Sequence, residues 1–307
     1  MAGLRLADVK PAHSAVAVLV AAIWGVNFVV VKVGLAEFPP LLFSALRFLL
    51  AAVPAVFFLG GPRVAWRWVF GVGLALGVVK FGLLFTGMHA GMPAGLSSLV
   101  LQSQVVFTVA LSAVVLGERP RPAQVLGLAV ATTGFVVIAL DYRVSSPVSA
   151  LLLVVGGALA WGVANVLTRK AQPPDSLRFI VWVSAVAVLP LLALSLLVEG
   201  PEADLAALRG MDWAGAGSLL FVAWVSTLLG FALWGFLLRT YPAPRVVPFA
   251  LLVPVAGMLS GWLLLDEEVT AVRLGAAGLV VAGMGAATLT RPRSRRRAEP
   301  VVEAVPV

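Results

Sequence analysis

The chain has 307 residues, of which 61% are hydrophobic and only 12% are charged. A soluble domain of average composition is about 45–50% apolar and about 25% charged. This balance excludes a soluble enzyme of ordinary surface polarity, and the abundance of apolar residues excludes intrinsic disorder. Cysteine is absent, which excludes disulfides and thiolate metal sites. We predict that most of the chain lies in a membrane.

Apolar runs separated by Pro, Gly or charged residues divide the chain into ten candidate transmembrane helices. Their lengths are close to the 20 or so residues that a helix needs to cross the hydrocarbon core. They exceed the strands of a membrane barrel and lack a two-residue alternation, so the predicted fold class is an all-α membrane protein. The helices are predicted near Ser14–Leu35, Leu41–Leu59, Trp66–Met88, Ala94–Leu116, Ala123–Leu140, Val148–Leu167, Phe179–Leu197, Trp213–Leu238, Ala243–Leu265 and Ala271–Leu289.

The distribution of Lys and Arg predicts the orientation of these helices, because cytoplasmic loops are enriched in both residues. With the N-terminus in the cytoplasm, 16 of the 22 basic residues fall in cytoplasmic segments and 4 fall outside. Ten spans then place both termini in the cytoplasm. The basic tail, Arg291–Arg297, is interpreted as a topology anchor near anionic lipid. We therefore expect membrane lipid as a partner and no nucleic acid.

The two halves of the chain resemble each other. Trp24–Lys32 resembles Trp161–Arg169, and Pro93–Glu118 resembles Pro242–Glu267. Each half has five predicted helices, and since five is odd the second copy must be inverted in the membrane. Such 5+5 inverted repeats are typical of secondary transporters, whose substrate site lies near the midplane between the halves. The predicted organisation is an N-terminal arm over 1–13, repeats over 14–140 and 148–290, and a basic cytoplasmic tail over 291–307.

Several motifs resemble the EamA family of the drug/metabolite transporter superfamily. They are Trp24-Gly-Val-Asn27, the run Ala45–Ala52 and the loop Leu116-Gly-Glu-Arg119, within a resemblance that spans nearly the whole chain. The resemblance implies ten helices and export of small amino-acid-like metabolites, such as cysteine or O-acetylserine, from the cytoplasm of a bacterium across its inner membrane by alternating access. The alternative within the same superfamily is export of drugs or lipid-linked metabolites.

Two cations lie inside predicted spans, Arg47 in the second helix and Lys80 near the middle of the third. A cation at a helix centre costs about 2.5–3.5 kcal/mol on insertion scales, which suggests a cavity or a partner. We expect both residues to bind a substrate carboxylate, with Arg suited to a bidentate contact. For Arg47, a structural anchor or a side chain that reaches the interface remains the alternative.

Polar and aromatic residues complete the predicted substrate site. An amide near mid-span can bond a polar substrate group or a neighbouring helix, and an aromatic ring can stack on a cation. Both interpretations stay open for each residue. The candidates are Asn27, Gln102, Gln104, Asn165, Trp24, Trp161 and Trp182.

The sequence predicts no catalytic residue, cofactor or metal site, and the protein is not expected to be an enzyme. All 14 acidic residues fall in loops, tails or helix ends, and only two His are present. A membrane-embedded enzyme would need clustered His or intramembrane carboxylates. No phosphate-binding loop of ATP-driven pumps occurs. Transport is therefore expected to use proton antiport or facilitated diffusion.

Glycines in the tenth predicted helix suggest a homodimer face: Gly275, Gly278, Gly283 and Gly285.

Overall fold

The protein was analysed as a computed structural model that describes residues 9–142 and 147–289. Every regular element within these two ranges is helical. The basic tail and most of the N-terminal arm lie outside the described residues. In chain order the helices are α1 Pro11–Glu37, α2 Pro40–Leu59, α3 Trp66–His89, α4 Ala94–Leu116, α5 Pro122–Tyr142, α6 Val148–Ala171, α7 Ser176–Val198, α8 Pro201–Gly210, α9 Trp213–Thr240, α10 Ala243–Leu265 and α11 Ala271–Leu289.

Nine of the described helices are long and apolar enough to cross a membrane. The apolar stretch of α11 is shorter than the others over its described side chains, at Ala271–Ala287. The short helix α8 lies in the connection between the seventh and eighth predicted helices. Its ends explain why it forms: Pro201 begins the helix, Glu202 and Asp204 lie in its first turn, and Arg209 lies in its last. These charges complement the helix dipole.

Four of the long helices are interrupted by a change of helical type. Segments of π-helix occupy Gly73–Lys80 in α3 and Phe221–Leu229 in α9. Segments of 3-10 helix occupy Leu101–Ser103 in α4 and Val247–Leu251 in α10. Such changes frequently occur at functional positions in helices.

The helical geometry of α10 changes just before Pro254. This proline lies inside the ninth predicted span, and the structure places it in the first turn of the α-helical part, Leu252–Leu265. A proline is tolerated there because the backbone N–H it lacks would have no partner inside the helix. The irregular backbone is instead the 3-10 segment just before it.

Small residues allow the two halves to pack closely. A Cβ added at Gly25 of α1 would lie 2.7 Å from the backbone nitrogen of Gly257 in α10. A Cβ added at Gly127 of α5 would lie 2.6 Å from the carbonyl oxygen of Gly283 in α11. Glycine at these contacts lets helix backbones approach each other, as in other membrane bundles. The larger buried core spans both halves and includes Phe28, Phe43, Phe85, Tyr142, Leu151, Leu219 and Met284.

Two carboxylates of the second half cap helices of the first half. Glu199 accepts hydrogen bonds from the backbone N–H groups of Leu41 and Leu42, at 2.7 and 3.1 Å, where α2 begins. Glu267 does the same at the start of α4. Carboxylates at helix N-termini satisfy unpaired N–H groups and complement the helix dipole. The first of these caps fixes the helix that carries Arg47.

Candidate functional site

Helices α2 and α3 bring Arg47 and Lys80 to one buried place. Their exposed fractions are only 4% and 5%. The ring centre of Phe81 lies 4.0 Å from the guanidinium carbon of Arg47 and 3.2 Å from Nζ of Lys80. The two cations predicted from the sequence therefore share one aromatic ring.

Further aromatic rings surround this pair. The guanidinium carbon of Arg47 lies 4.8 Å from the Phe48 ring and 5.6 Å from the Phe85 ring. Nζ of Lys80 lies 4.7 Å from the Trp161 ring, which α6 contributes from the second half. Desolvated cation–π contacts are worth about 2 kcal/mol or more. We name this group the cation cluster: Arg47, Phe48, Lys80, Phe81, Phe85 and Trp161.

Arg47 uses only part of its hydrogen-bonding capacity. Its Nη2 donates to Oγ1 of Thr227 at 3.0 Å, and the Thr227 hydroxyl donates to the Val222 carbonyl at 2.8 Å within the π segment of α9. Its Nε and Nη1 are buried without a hydrogen-bond partner. Since the large majority of buried polar atoms in proteins are bonded, these two donors are the strongest sign of a missing ligand.

No described acidic side chain forms an ion pair with Arg47 or Lys80. In the part of the chain that the structure describes, Nζ of Lys80 contacts aromatic rings but makes no hydrogen bond. A buried charge without a partner carries a high desolvation cost. An anion that entered the cluster would relieve this cost at both cations.

The local fold of α3 explains how Lys80 reaches this place. Lys80 is the last residue of the π segment. A Cβ added at Gly157 of α6 would lie 3.0 Å from the Lys80 carbonyl, and one at Gly77 would lie 2.4 Å from the Cβ of Ala187 in α7. These glycines allow α3 to pack tightly against α6 and α7. The π segment is thereby held by neighbours on both sides.

A second polar group lies between α4 and α6. Nδ2 of Asn165 donates to Oε1 of Gln104 at 2.8 Å and contacts Oγ1 of Thr108 at 3.0 Å, and the Thr108 hydroxyl donates to the same Gln104 oxygen at 3.2 Å. Further along, Nη1 of Arg169 donates to Oγ of Ser112 at 3.2 Å, and Arg169 forms a bidentate ion pair with Glu118. We name this group the polar ladder: Gln104, Thr108, Ser112, Glu118, Asn165 and Arg169.

The remaining site candidates are spread around the molecule. Oδ1 of Asn27 is buried without a hydrogen bond, and Gln102 is buried in the 3-10 segment of α4. Nε1 of Trp24 donates to the Ser226 carbonyl at 3.0 Å. Nε1 of Trp182 donates to the Gly60 carbonyl at 2.7 Å, and its ring contacts Trp66. Of the three predicted tryptophans, only Trp161 contacts a cation in the described structure.

Several residues that contact the two buried cations or cap a helix were not predicted from the sequence. Phe48 and Phe81 directly follow the two buried cations along the chain, and this adjacency is the only signal that could have identified them. Thr227 carries no recognisable pattern. Glu267 was interpreted only as part of a repeat, yet it accepts from the backbone N–H groups of Ala94 and Gly95 at 2.5 and 2.8 Å.

A protein-family comparison decides the class of this molecule. A model of the EamA-like transporter family matches residues 14–140 and 148–289. The chain belongs to the EamA-like transporter family. The resemblance predicted from the sequence motifs is therefore confirmed.

Individual relatives agree with the family match. A Salmonella typhimurium protein named a probable amino-acid metabolite efflux pump is 41% identical over 275 residues, which cover 87% of this chain and 92% of that protein. An Escherichia coli protein of the same name is 38% identical, with the same coverage of both chains. A solved crystal structure superposes with a TM-score of 0.62 at 21% identity, covering 92% of this chain and 98% of that one. This last likeness concerns the fold alone.

These findings place the EamA-like chain among transporters rather than enzymes. A more distant Escherichia coli relative, 23% identical over 274 residues, is named an inner membrane transporter. Together with the nine apolar spans of the described residues, this makes the chain a multi-pass protein of the bacterial inner membrane, as predicted.

Proposed function

We propose that this protein exports small amino-acid-like metabolites, such as cysteine or O-acetylserine, from the cytoplasm, and that the cation cluster binds the substrate carboxylate. The observation that carries the proposal is the pair of buried, unpartnered donors on Arg47. The relatives named amino-acid metabolite efflux pumps support the substrate class.

The chemistry of the cluster suits a carboxylate. Nε and one terminal nitrogen of a guanidinium form a fork that binds two carboxylate oxygens at once, whereas an ammonium acts as a point charge. Nη2 of Arg47 has a second N–H besides the one that bonds Thr227, and together with the unpartnered Nε or Nη1 it would form such a fork. Lys80 would stabilise the same anion from the other helix. The surrounding phenyl rings and Trp161 would exclude water and contact the apolar part of the substrate.

Other predicted residues have secondary roles in this proposal. The amide of Gln102 would bond polar groups of the substrate away from its carboxylate. Asn27, whose side-chain oxygen has no hydrogen-bond partner, would act along the path to and from the site. Gln104 and Asn165 would act at the contact between α4 and α6, and the rings of Trp24 and Trp182 would line the path to and from the site.

We further propose that α1 to α5 and α6 to α11 form two inverted five-helix repeats, with α8 as an insertion. Corresponding irregularities support this proposal, because the third long helix of each half contains a π segment and the fourth contains a 3-10 segment. The packing is reciprocal as well: α1 contacts α9 and α10, as α6 contacts α3 and α4. Both termini would lie in the cytoplasm, and the halves would move against each other during alternating access.

A flux measurement in liposomes tests the proposed site. Purified protein would be reconstituted, and counterflow of radiolabelled cysteine or O-acetylserine would be followed for wild type, Lys80→Met and the control Lys170→Met. Lys170 is exposed at the end of α6, so its loss should leave flux unchanged. If Lys80→Met folds and transports at the wild-type rate, the assignment is wrong. Repeating the assay with and without a pH gradient separates proton antiport from facilitated diffusion.

A second candidate function rests on an apolar cavity. Between α10 and α11 lies a cavity of about 640 Å³ whose lining includes Met258, Trp262, Leu274 and Val281. An apolar cavity of this size fits drugs or lipid-linked metabolites. Competition assays separate the two functions. If an apolar drug inhibits amino-acid flux by binding in this cavity, Met258→Trp should fill the cavity and abolish the inhibition. Transport of cysteine itself should continue in this variant.

We also propose that α11 provides a homodimer face. A Cβ added at Gly275 or Gly278 would meet nothing within 4 Å, so both glycines face open space. Gly283, in contrast, packs against Ala131 of α5, which removes it from the candidate face. Crosslinking of a cysteine introduced at Gly278 in the membrane, compared with one at Gly283, tests this arrangement.

A further inference from the structure

The charge balance of the cation cluster restricts the net charge of its substrate. We propose that the preferred substrates carry a net negative charge, as N-acylated amino acids do, and that zwitterionic amino acids are transported less well. The inference rests on the proposed function, because it assumes that the cluster binds substrate.

The charges around the site are not balanced. The cluster holds two cations, and the groups that contact them are neutral: four aromatic rings and the hydroxyl of Thr227. Several of the described acidic side chains have partners elsewhere in the molecule. Glu118 pairs with Arg169, Asp141 with Arg273 and Asp175 with Arg178, while Glu199, Asp212 and Glu267 accept backbone N–H groups.

A zwitterion would bring a positive charge as well as a negative one into this site. Its carboxylate would satisfy Arg47, but its ammonium group is only two bonds from the carboxylate carbon and would face the second cation. Lys80 and Arg47 contact the same ring, so the ammonium cannot approach one without remaining near the other. Like charges at such distances repel strongly where water is excluded.

The described residues near the cluster offer no carboxylate to pair with the ammonium. The buried side-chain carbonyl that lacks a partner among the described residues is Oδ1 of Asn27, and no hydrogen bond or ring contact joins it to the cluster. The other unpartnered oxygens near α2 and α4 are hydroxyls of Ser44, Ser97 and Ser103. A hydroxyl is a good donor to an acyl carbonyl and a weak counter-charge for an ammonium.

An N-acyl group removes the conflict. It converts the ammonium into a neutral amide, so the substrate brings one negative charge and no positive charge to two cations. The acyl carbonyl would accept hydrogen bonds from donors such as the buried amide of Gln102. The apolar acyl tail would contact the phenyl rings of the cluster.

Two isomers provide a matched test of this proposal. N-acetyl-L-serine and O-acetyl-L-serine have the same atoms, but the first is an anion and the second a zwitterion. Uptake of each radiolabelled isomer into proteoliposomes would be measured at mildly acidic pH, where migration of the acetyl group from oxygen to nitrogen is slow. We expect wild type to favour N-acetylserine by about tenfold or more in kcat/KM, as unscreened repulsion implies.

Variants of Lys80 sharpen the test. Lys80→Gln removes one positive charge, so the preference for the anion should fall at least several-fold, while Lys80→Arg should preserve it. Equal or faster transport of O-acetylserine by wild type overturns the inference and leaves the proposed function intact. Transport of neither isomer by folded protein overturns the proposed function itself. Should Lys80→Gln not fold, the wild-type comparison of the two isomers still decides the proposal.

Discussion

The polar ladder and the cation cluster are built from similar residues but differ in how completely they are bonded. In the ladder, Asn165 and Arg169 donate to oxygens of α4 and of Glu118, just after it, at distances typical of hydrogen bonds. In the cluster, Arg47 keeps two buried donors without a partner and Lys80 contacts only aromatic rings. A polar group whose hydrogen bonds are all made between helices is explained by helix packing. A buried polar group that lacks these bonds is available to bind a ligand.

This contrast has an energetic side. A satisfied interhelical hydrogen bond in a membrane contributes on average about 0.6 kcal/mol, so the ladder adds modestly to stability. Two desolvated cations without counter-charge are a net cost to folding. The cluster is therefore expected to lower stability while it serves binding, and the ladder to do the reverse. Variants in the cluster and in the ladder test this difference when transport flux and the free energy of unfolding are both measured.

The largest expected effect is the loss of transport in Arg47→Met. Removal of the fork that would hold the carboxylate should lower kcat/KM by about tenfold to a hundredfold, since hydrogen bonds to charged groups are worth about 1.5–3 kcal/mol. The melting temperature in detergent should stay the same or rise, because a buried cation is removed. Arg119→Met, at an exposed position, is the control. If Arg47→Met instead lowers the melting temperature and leaves flux unchanged, Arg47 stabilises the fold and does not bind substrate.

Next in size is the stability loss of Glu267→Gln. Glu267 accepts from two backbone N–H groups at the start of α4, and a neutral amide keeps the shape but not the charge. We expect a loss of about 1–2 kcal/mol in the free energy of unfolding, measured by denaturation in detergent. Glu268→Gln provides the neighbouring exposed control. Equal effects at both positions would contradict a specific cap.

Asn165→Leu breaks the centre of the polar ladder. It removes the donor to Gln104 and Thr108, and we expect a loss of about 0.6–2 kcal/mol in stability. Substrate KM should not change, because the ladder is already satisfied without substrate. Thr133→Val is the control, since its hydroxyl bonds only within α5. A large rise in KM with little change in stability would move Asn165 from the ladder to the substrate site.

The smallest effect is expected for Glu118→Gln. The side chains of Glu118 and Arg169 are 45% and 50% exposed, so solvent and salt screen their attraction. The pair should contribute about 1 kcal/mol or less. A double-mutant cycle with Arg169→Gln at low and high salt measures the coupling. A coupling energy that does not change with salt would argue that the ladder is shielded from water throughout its length.

Much of this arrangement could be predicted from the sequence, because a cation inside an apolar run is rare and its cost demands an explanation. That reasoning led to Arg47 and Lys80. Of the phenylalanines around them, Phe48 and Phe81 are marked only by following the two cations along the chain, and Phe85 is marked by nothing local among the 16 such residues. The cap by Glu267 depends on contact between residues 172 positions apart, which no short pattern encodes.

The positions of the irregular helical segments also could not be predicted from short sequence patterns. A proline inside a predicted span, such as Pro254, is an obvious place for a break, yet the backbone irregularity lies in the preceding segment, because a proline fits the first turn of a helix. The π segments of α3 and α9 contain no proline at all. They depend on how neighbouring helices fit against glycines such as Gly77, and hence on packing rather than on local preference.

The cap at the start of α4 has a consequence for the transport cycle. If the two halves adopt each other's conformation during transport, Glu118 should accept hydrogen bonds from the backbone at the start of α10, as Glu267 does at the start of α4. By the spacing of the repeat, the counterpart of Gly95 is Pro244, which has no backbone N–H to donate. The two closed states would then differ in free energy, and an empty transporter would rest with the Glu267 end shut. Such a bias would set which end the empty carrier opens more often, while the gradients of substrate and coupled ions would set the net direction of transport.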